Sequence, residues 1–202
     1  MKTLKTLSII FAAGILSAGV VGCKGKKDAG PAKGEVLVDV YCSGPEYFTD
    51  KKFFRANAIG ESLDQMVAKK KAMANARAQL ATDMSSTMKI VGDNYVKSSE
   101  FNNKEEVTET FQQNARTVVD QSLNGIRVIC EKQTRTAEGK YKTYIAIELS
   151  ADEILSKYNE RLSKEESLKA DYNYEKFKET FDAETAKIGR AHVELQSRGH
   201  LV

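Results

Sequence analysis

An alanine-rich segment, Gln65 to Val91, constrains the fold more than any other part of this 202-residue chain. It contains the run M-A-N-A-R-A-Q-L-A, and its residues predict one long helix. Small and apolar residues recur on one face of that helix, and polar residues lie opposite. The first face comprises Ala72, Met73, Ala76, Leu80, Met84, Thr87, Ile90 and Val91, and the second comprises Lys71, Asn75, Thr82, Ser86 and Lys89. Because alanine side chains are small, we expect the start of this helix to lie tightly on a sheet.

Alternating apolar residues predict two strands before the long helix in the sequence and two after it. These strands cover Glu35–Ser43, Phe53–Ile59, Ile126–Thr134 and Tyr141–Leu149, with Ile126, Val128 and Cys130 on one face of the third. A short turn containing Gly139 joins the last two strands, which predicts an antiparallel hairpin.

Three further helices are predicted, together with their end signals. Ser62 or Asp64 is expected to cap the long helix, and Gly92 to loosen its end. A second helix, Lys104 to Leu123, is expected to stop at Asn124-Gly125. Its apolar face comprises Val107, Phe111, Ala115, Val118 and Ser122, widened by Val119 and Leu123. A capping box at Ser150–Glu153 opens a third helix with Ile154, Leu155, Tyr158 and Leu162 on its apolar face. Lys164 to Lys187 is charged and helical in propensity, with Tyr174, Phe177 and Phe181 as apolar anchors.

These elements together predict an α+β fold in two layers. An antiparallel sheet of three to four strands, which includes a C-terminal hairpin, is packed by the long helix and a second helix. The expected divisions are a signal peptide (1–22), a flexible tether (23–34), the α+β domain (35–163), a charged helical extension (164–187) and a terminal tail (188–202).

The N-terminus has the three parts of a secretory signal. Lys2 and Lys5 precede an apolar run that ends V-V-G-C at Val20 to Cys23, and this run is short for a membrane span. Gly22 before Cys23 resembles the bacterial lipobox, in which the cysteine is acylated and becomes the first residue. An ordinary signal peptide with an incidental cysteine is the alternative. Lipidation at Cys23 predicts anchoring in the bacterial cell envelope, at the outer membrane.

Two cysteines, Cys42 and Cys130, remain after Cys23 is assigned to the anchor. Both lie on predicted strands of an exported chain, which favours a disulfide between them. Two separate buried thiols are the alternative.

Little in the sequence indicates catalysis. The two histidines, His192 and His200, both lie near the C-terminus, so the body lacks histidine for a nucleophile pair or a metal site. No cofactor motif is visible. The formal charge of +3 falls to zero without the signal's lysines and the tail, which gives no case for nucleic acid. Glu61 and Asp64 are the one carboxylate pair near a loop that a glycan hydrolase would use, and helix capping is the competing role.

The last fifteen residues, Ile188 to Val202, break the preceding pattern and hold both histidines. Their sequence, I-G-R-A-H-V-E-L-Q-S-R, resembles a translated sequencing adapter, so we predict that this tail is not native protein. A genuine short amphipathic end is the alternative.

Four sequence elements resemble the lipoprotein-20 family of bacterial cell-envelope lipoproteins, which is related to the N-terminal domain of the flagellar assembly protein T. They are R-A-N-A-I-G-E-S (Arg55–Ser62), the alanine pattern of Ala68–Ala81, L-N-G-I-R-V-I-C-E (Leu123–Glu131) and Y-K-T-Y-I-A-I-E-L (Tyr141–Leu149). The resemblance spans roughly Val36 to Tyr158 and implies a compact α+β domain on a membrane anchor, without catalytic residues. The expected function is a non-enzymatic envelope module that binds a protein or peptidoglycan. A carboxylate-dependent hydrolase of cell-wall glycan is the alternative.

Overall fold

The computed structural model describes residues 38–168 and 170–199, with side chains described as far as residue 188. Three strands and four α-helices make up this described part of the chain. In chain order they are β1 (Phe53–Ser62), α1 (Gln65–Ser98), α2 (Lys104–Ser122), β2 (Arg127–Arg135), β3 (Tyr141–Ser150), α3 (Ala151–Leu162) and α4 (Tyr174–Gly199), with single 3-10 turns at Pro45–Tyr47 and Leu123–Gly125. Within the same residues, no helix is both long and apolar enough to cross a bilayer.

The sheet is antiparallel with strand order β1-β3-β2, which confirms the predicted α+β class. β3 is the central strand, and its residues Ile145, Ile147 and Leu149 are buried against the helices. The β2–β3 hairpin turns at Gly139, whose φ of 83° lies in the left-handed region that glycine adopts without strain. The predicted antiparallel hairpin of these two strands is therefore confirmed.

The long helix α1 begins where the sequence predicted, because the carboxylate of Asp64 accepts the backbone N–H of Val67 at 2.8 Å. One stripe of small residues followed by larger ones is fully buried. It contains Ala72, Ala76, Leu80, Met84 and Val91 of the predicted face, and also Ala68, Met88 and Tyr95, which the predicted face did not include. Ile90 was placed on this face wrongly, since its side chain is 46% exposed.

Gly92 does not end α1, which continues to Ser98. A Cβ at Gly92 would lie 3.3 Å from the Cβ of Phe111 on α2, so the missing side chain lets these two helices approach closely. The expectation that Gly92 loosens the helix end was wrong, because a buried glycine in a packed helix serves close contact.

The start of α1 lies on β1 with almost no space between the two backbones. A Cβ at Gly60 of β1 would lie 2.2 Å from the carbonyl oxygen of Ala68 and 2.4 Å from the amide nitrogen of Ala72. Ala68 and Ala72 are both fully buried. The glycine and the two alanines together allow the tight helix-on-sheet packing that the small residues predicted.

α2, α3 and α4 complete the core around an aromatic cluster. The predicted apolar face of α2 is buried, and α3 is capped by Ser150, which accepts the N–H of Glu153 at 3.3 Å. Phe177 of α4 packs against Tyr95, Phe111 and Tyr158 with ring centroids 5.2–5.9 Å apart. Burial raises the pKa of the Tyr158 hydroxyl far above its usual value, and this hydroxyl donates to the Phe111 carbonyl oxygen at 2.8 Å.

The residues from Lys164 onwards depart from the prediction of a separate helical extension. Residues 163–168 and 170–173 form turns and irregular backbone, and the helix begins only at Tyr174. Phe177 and Phe181 are fully buried anchors, as predicted, whereas Tyr174 is 37% exposed. α4 therefore belongs to the same core as α1. Its backbone remains helical through Gly199, and the predicted foreign origin of the tail stays a prediction that resequencing across codon 187 tests.

The predicted first strand is absent from the sheet where the structure describes it. Residues 38–43 form no ladder, and Val38 is 80% exposed. The backbone turns instead at Cys42, whose φ of 58° is incompatible with a strand. Residues 35–37 lie outside the described part.

Two smaller predictions failed near the start of β2. Val128 is opposite Ile147 while Cys130 is opposite Ala146, because a β-bulge between them shifts the register. Val128 and Cys130 therefore point to opposite faces of the sheet. Gly125 ends a 3-10 turn without a positive φ, so it is not a left-handed helix cap.

Candidate interaction surface

The face of the sheet that points away from α1 is the main polar surface that the strands build. Residues directly opposite one another in an antiparallel pair share a face. The register therefore groups Arg55, Asn57, Ile59 and Glu61 of β1 with Lys142, Tyr144, Ala146 and Glu148 of β3, and with Arg127, Cys130, Lys132 and Thr134 of β2. We call this set the outer face. The polar alternation along β3 already indicated it in the sequence.

Residues 41–50, which we call the crossing segment, run over the outer face from β2 to the free edge of β1. At one end Cys42 forms a disulfide with Cys130, with Cα atoms 5.6 Å apart. At the other end the hydroxyl of Thr49 accepts the N–H of Arg55 at 3.0 Å and donates to its carbonyl oxygen at 3.2 Å. Both ends are thus attached to strands, which holds the segment against the sheet.

The two predicted disulfide partners are brought together in this way, although by a route that the sequence did not indicate. Cys42 lies on a turn and not on a strand, and only Cys130 lies on the sheet. The ring of Tyr41 lies edge-on to that of Tyr144, with centroids 5.4 Å apart. Cys23, the predicted lipidation site, lies outside the described residues.

A cluster of charges crosses all three strands beside the crossing segment. Glu148 is only 8% exposed, and its two oxygens accept from Arg55 Nε at 3.1 Å and from Arg127 Nη2 at 2.9 Å. Arg55 also donates to the Asp50 carboxylate at 2.7 Å. Both guanidinium groups lie over the ring of Phe53, 5.0 and 5.7 Å from its centroid. Glu148 is therefore fully paired, and the cluster joins the crossing segment to the sheet.

The Asp50 carboxyl shows how this cluster responds to acid. Burial acts to raise its pKa, but hydrogen bonds from the Lys52 backbone, from Arg55 and from the Phe53 backbone outweigh that effect. The pKa of Asp50 is accordingly lower than its usual value. The charged form is the one that the folded protein stabilises.

The carboxylate pair singled out in the sequence occupies structural positions. Glu61 binds Lys140 at 2.9 Å and Lys142 at 3.5 Å across the strands, and the hydrogen bond from Lys140 lowers the pKa of Glu61. Asp64 caps α1. In the described ranges, no group of three histidine, cysteine, aspartate or glutamate side chains is placed to hold a metal ion.

A groove of about 250 Å³ lies between α1 and α2. Its lining residues are Ser85, Ser86, Lys89, Gln112, Ala115 and Arg116. None of these six is a carboxylate, so the groove does not supply the acid pair that a glycan hydrolase needs.

Sequence reasoning missed the Arg55–Glu148–Arg127 cluster. Each of these residues sits at a polar position of a strand, but the pairing follows only from the strand order and register. Comparison of the whole sequence with known families and with curated proteins found no match. The resemblance to the lipoprotein-20 family therefore stays a prediction based on its four motifs.

Proposed function

We propose that this chain is a lipid-anchored protein of the bacterial cell envelope whose folded body is a non-enzymatic interaction module. The arrangement of the three cysteines carries this proposal. Cys23 follows a signal-like segment in V-V-G-C, and Cys42 and Cys130 pair in the body. Disulfides are typical of exported proteins, so the pair supports the same destination as the lipobox-like motif.

The outer face supports the second half of the proposal. It is a three-stranded surface fixed by a disulfide and by paired charges, with Ile59 44% exposed among them. Rigid surfaces with mixed charge and a few apolar side chains suit protein partners or peptidoglycan. The partner we propose is therefore a protein or the cell wall at the outer membrane, and no observation favours the hydrolase alternative.

The anchor is tested by replacing the lipidated residue. Cys23→Ser should release the protein from membranes and abolish the incorporation of labelled fatty acid. The double variant Cys42→Ser, Cys130→Ser is the control, since it keeps the lipobox and should stay in the membrane fraction. A Cys23→Ser variant that fractionates like the parent would refute the anchor.

The interaction module is tested by crosslinking in intact cells. A photo-crosslinking amino acid at Ile59 on the outer face should capture a defined protein or glycan fragment. The same amino acid at Thr82, on an exposed face of α1, is the control. Identical products from the two positions would contradict the assignment of the outer face.

A further inference from the structure

Three apolar side chains are exposed together where β1 joins α1. Leu63 is 73% exposed, Met66 60% and Val67 41%. Leu63 directly precedes the capping residue Asp64, a position whose side chain often folds back onto the first helical turn. Here it points largely to solvent. We call these three residues the apolar corner.

The apolar corner lies at the end of the sheet that carries the β2–β3 turn. Ser62 is opposite Tyr141 at that end, and the side chain of Gln65 bonds to that of Gln133 on β2. Lys69 pairs with Glu131 of β2 at 2.9 Å. We call residues 61–71 and 131–142 the hairpin end.

Charge is distributed unevenly between the hairpin end and the rest of the body. The hairpin end holds seven lysine and arginine residues and four carboxylates, and the remainder of residues 38–187 holds sixteen and twenty-one. The basic residues are Lys69, Lys70, Lys71, Lys132, Arg135, Lys140 and Lys142. Exposed apolar groups are thus surrounded by net positive charge on a body that is otherwise acidic.

The chain also enters the body from the direction of this end. Cys42 is bonded to Cys130, which is opposite Ala146 on β3. The ring of Tyr41 packs against Tyr144, which is two residues nearer the β2–β3 turn. Going from Cys42 to Tyr41 therefore moves towards the β2–β3 turn. Fifteen residues, 23–37, lie between the predicted signal and Val38, the first residue that the structure describes. An unfolded chain of that length has a mean span of about 20 Å.

We propose that the apolar corner and its basic surroundings rest in the head-group region of an anionic lipid bilayer. The basic residues are attracted to acidic head groups, and partial insertion removes the apolar side chains from water. Closeness to the membrane rests on the proposed anchor at Cys23. The tether raises the local concentration of the corner at the bilayer, so even weak attachment would orient the body.

The test places a polarity-sensitive fluorophore at position 66 through Met66→Cys and adds the full chain to vesicles that contain nitroxide-labelled lipid. Met66 is exposed, so this change leaves the core intact. The control is Asn102→Cys, an exposed site beyond the far end of α1. α1 has 34 residues and is about 50 Å long. With phosphatidylglycerol present, lipid nitroxide should quench the fluorophore at position 66 at least about threefold more than that at position 102.

Charge-reversal variants distinguish electrostatic attraction to acidic lipid from apolar contact alone. Lys70→Glu with Lys132→Glu should remove most of the quenching at position 66, and pure phosphatidylcholine vesicles should do the same. Lys97→Glu with Lys104→Glu, at the far end of α1, is the matched control and should leave it unchanged. Equal quenching at positions 66 and 102 would overturn the proposal.

Three further outcomes are distinguishable. A spectral shift at position 66 that needs no vesicles and grows with protein concentration would mean that a second copy covers the corner, which would overturn the proposal. The mass of residue 23 reports the anchor separately. If residue 23 of the parent is unacylated, while the Cys23→Ser chain, which has position 66 as its one free thiol, still shows vesicle-dependent quenching, the anchor alone is refuted. An acylated chain without quenching at position 66 would refute the corner alone.

Discussion

Gly60→Ala should be among the most damaging single-methyl changes in this protein. The added Cβ would lie 2.2 Å from the Ala68 carbonyl oxygen and 2.4 Å from the Ala72 amide nitrogen. Both contacts are backbone atoms of α1, so no side chain can rotate away. Restoring ordinary contact distances requires α1 and β1 to separate by about 1 Å. That shift loosens the fully buried stripe that starts at Ala68 and Ala72.

Overpacking of a well-packed core typically costs about 1–3 kcal/mol, and the rigid partners here favour the upper part of that range. Replacing glycine by alanine also lowers the conformational entropy of the unfolded chain, which raises the free energy of unfolding by about 0.4–1 kcal/mol. We therefore expect Gly60→Ala to lower the free energy of unfolding by about 2 kcal/mol, measured by urea unfolding with far-ultraviolet circular dichroism.

Gly125→Ala is the matched control. Its new Cβ would lie 3.4 Å from Leu149 Cδ1, an ordinary contact with a side chain that can adjust. This variant should stay within about 0.5 kcal/mol of the parent. If Gly60→Ala and Gly125→Ala have the same stability, α1 does not lie on β1 as closely as described, and the role assigned to the small residues is wrong.

Four other predictions follow from the described contacts. Ala76→Leu should overpack the buried stripe and cost about 1–3 kcal/mol, whereas an unchanged melting temperature would place Ala76 at the surface. Thiol labelling of unreduced, denatured protein should modify neither Cys42 nor Cys130, because both sulfurs are held in the disulfide, and labelling of both would contradict the bridge. With a separation of 88 residues, this bridge contributes about 4–5 kcal/mol in the loop-entropy model. Thr143→Val should raise stability by about 1 kcal/mol, since the Thr143 hydroxyl is buried without a partner among the described residues, and a loss of stability would reveal a missed hydrogen bond. Because the pKa of Asp50 is lowered in the folded state, its ion pair stabilises the fold above about pH 4, and this stabilisation is lost as the pH falls through the lowered pKa. Asp50→Asn should therefore make the free energy of unfolding less dependent on pH below about pH 4. Identical pH profiles for the variant and the parent would refute this.

The helices were the most predictable part of the fold because their apolar spacing is long and regular. The end of α1 was missed because glycine has two opposite uses. Gly92 was interpreted as a helix end, yet it provides close contact with Phe111, and only the position of α2 distinguishes the two. For α4, Phe177 and Phe181 predicted an apolar face, but nothing local indicated that this face packs beside Tyr95, which is 82 residues away from Phe177 in sequence.

The outer face was harder to predict because its contacts depend on strand order. Arg55 and Arg127 are 72 positions apart, and they meet at Glu148 only because β3 lies between β1 and β2. The bulge in β2 also reverses the direction of Cys130 relative to Val128. Without that reversal Cys130 would face the core, and the disulfide could not hold the crossing segment across the outer face.

The edges of the sheet indicate which surfaces remain for partners. Arg55 on the free edge of β1 pairs with Thr49 through both backbone groups, and the carbonyl oxygens of Ile59 and Glu61 accept from Asn75 and Lys71, each at 3.2 Å. β2 carries a bulge, and Arg127, Lys132 and Arg135 lie along it. Bulges and basic side chains oppose the addition of another strand. Partners that extend the sheet are therefore disfavoured at both edges. We expect partners to bind the outer face or the apolar corner instead. A peptide that added a strand to β2 would contradict this, and protection of the β2 amides from hydrogen exchange in a complex would reveal it.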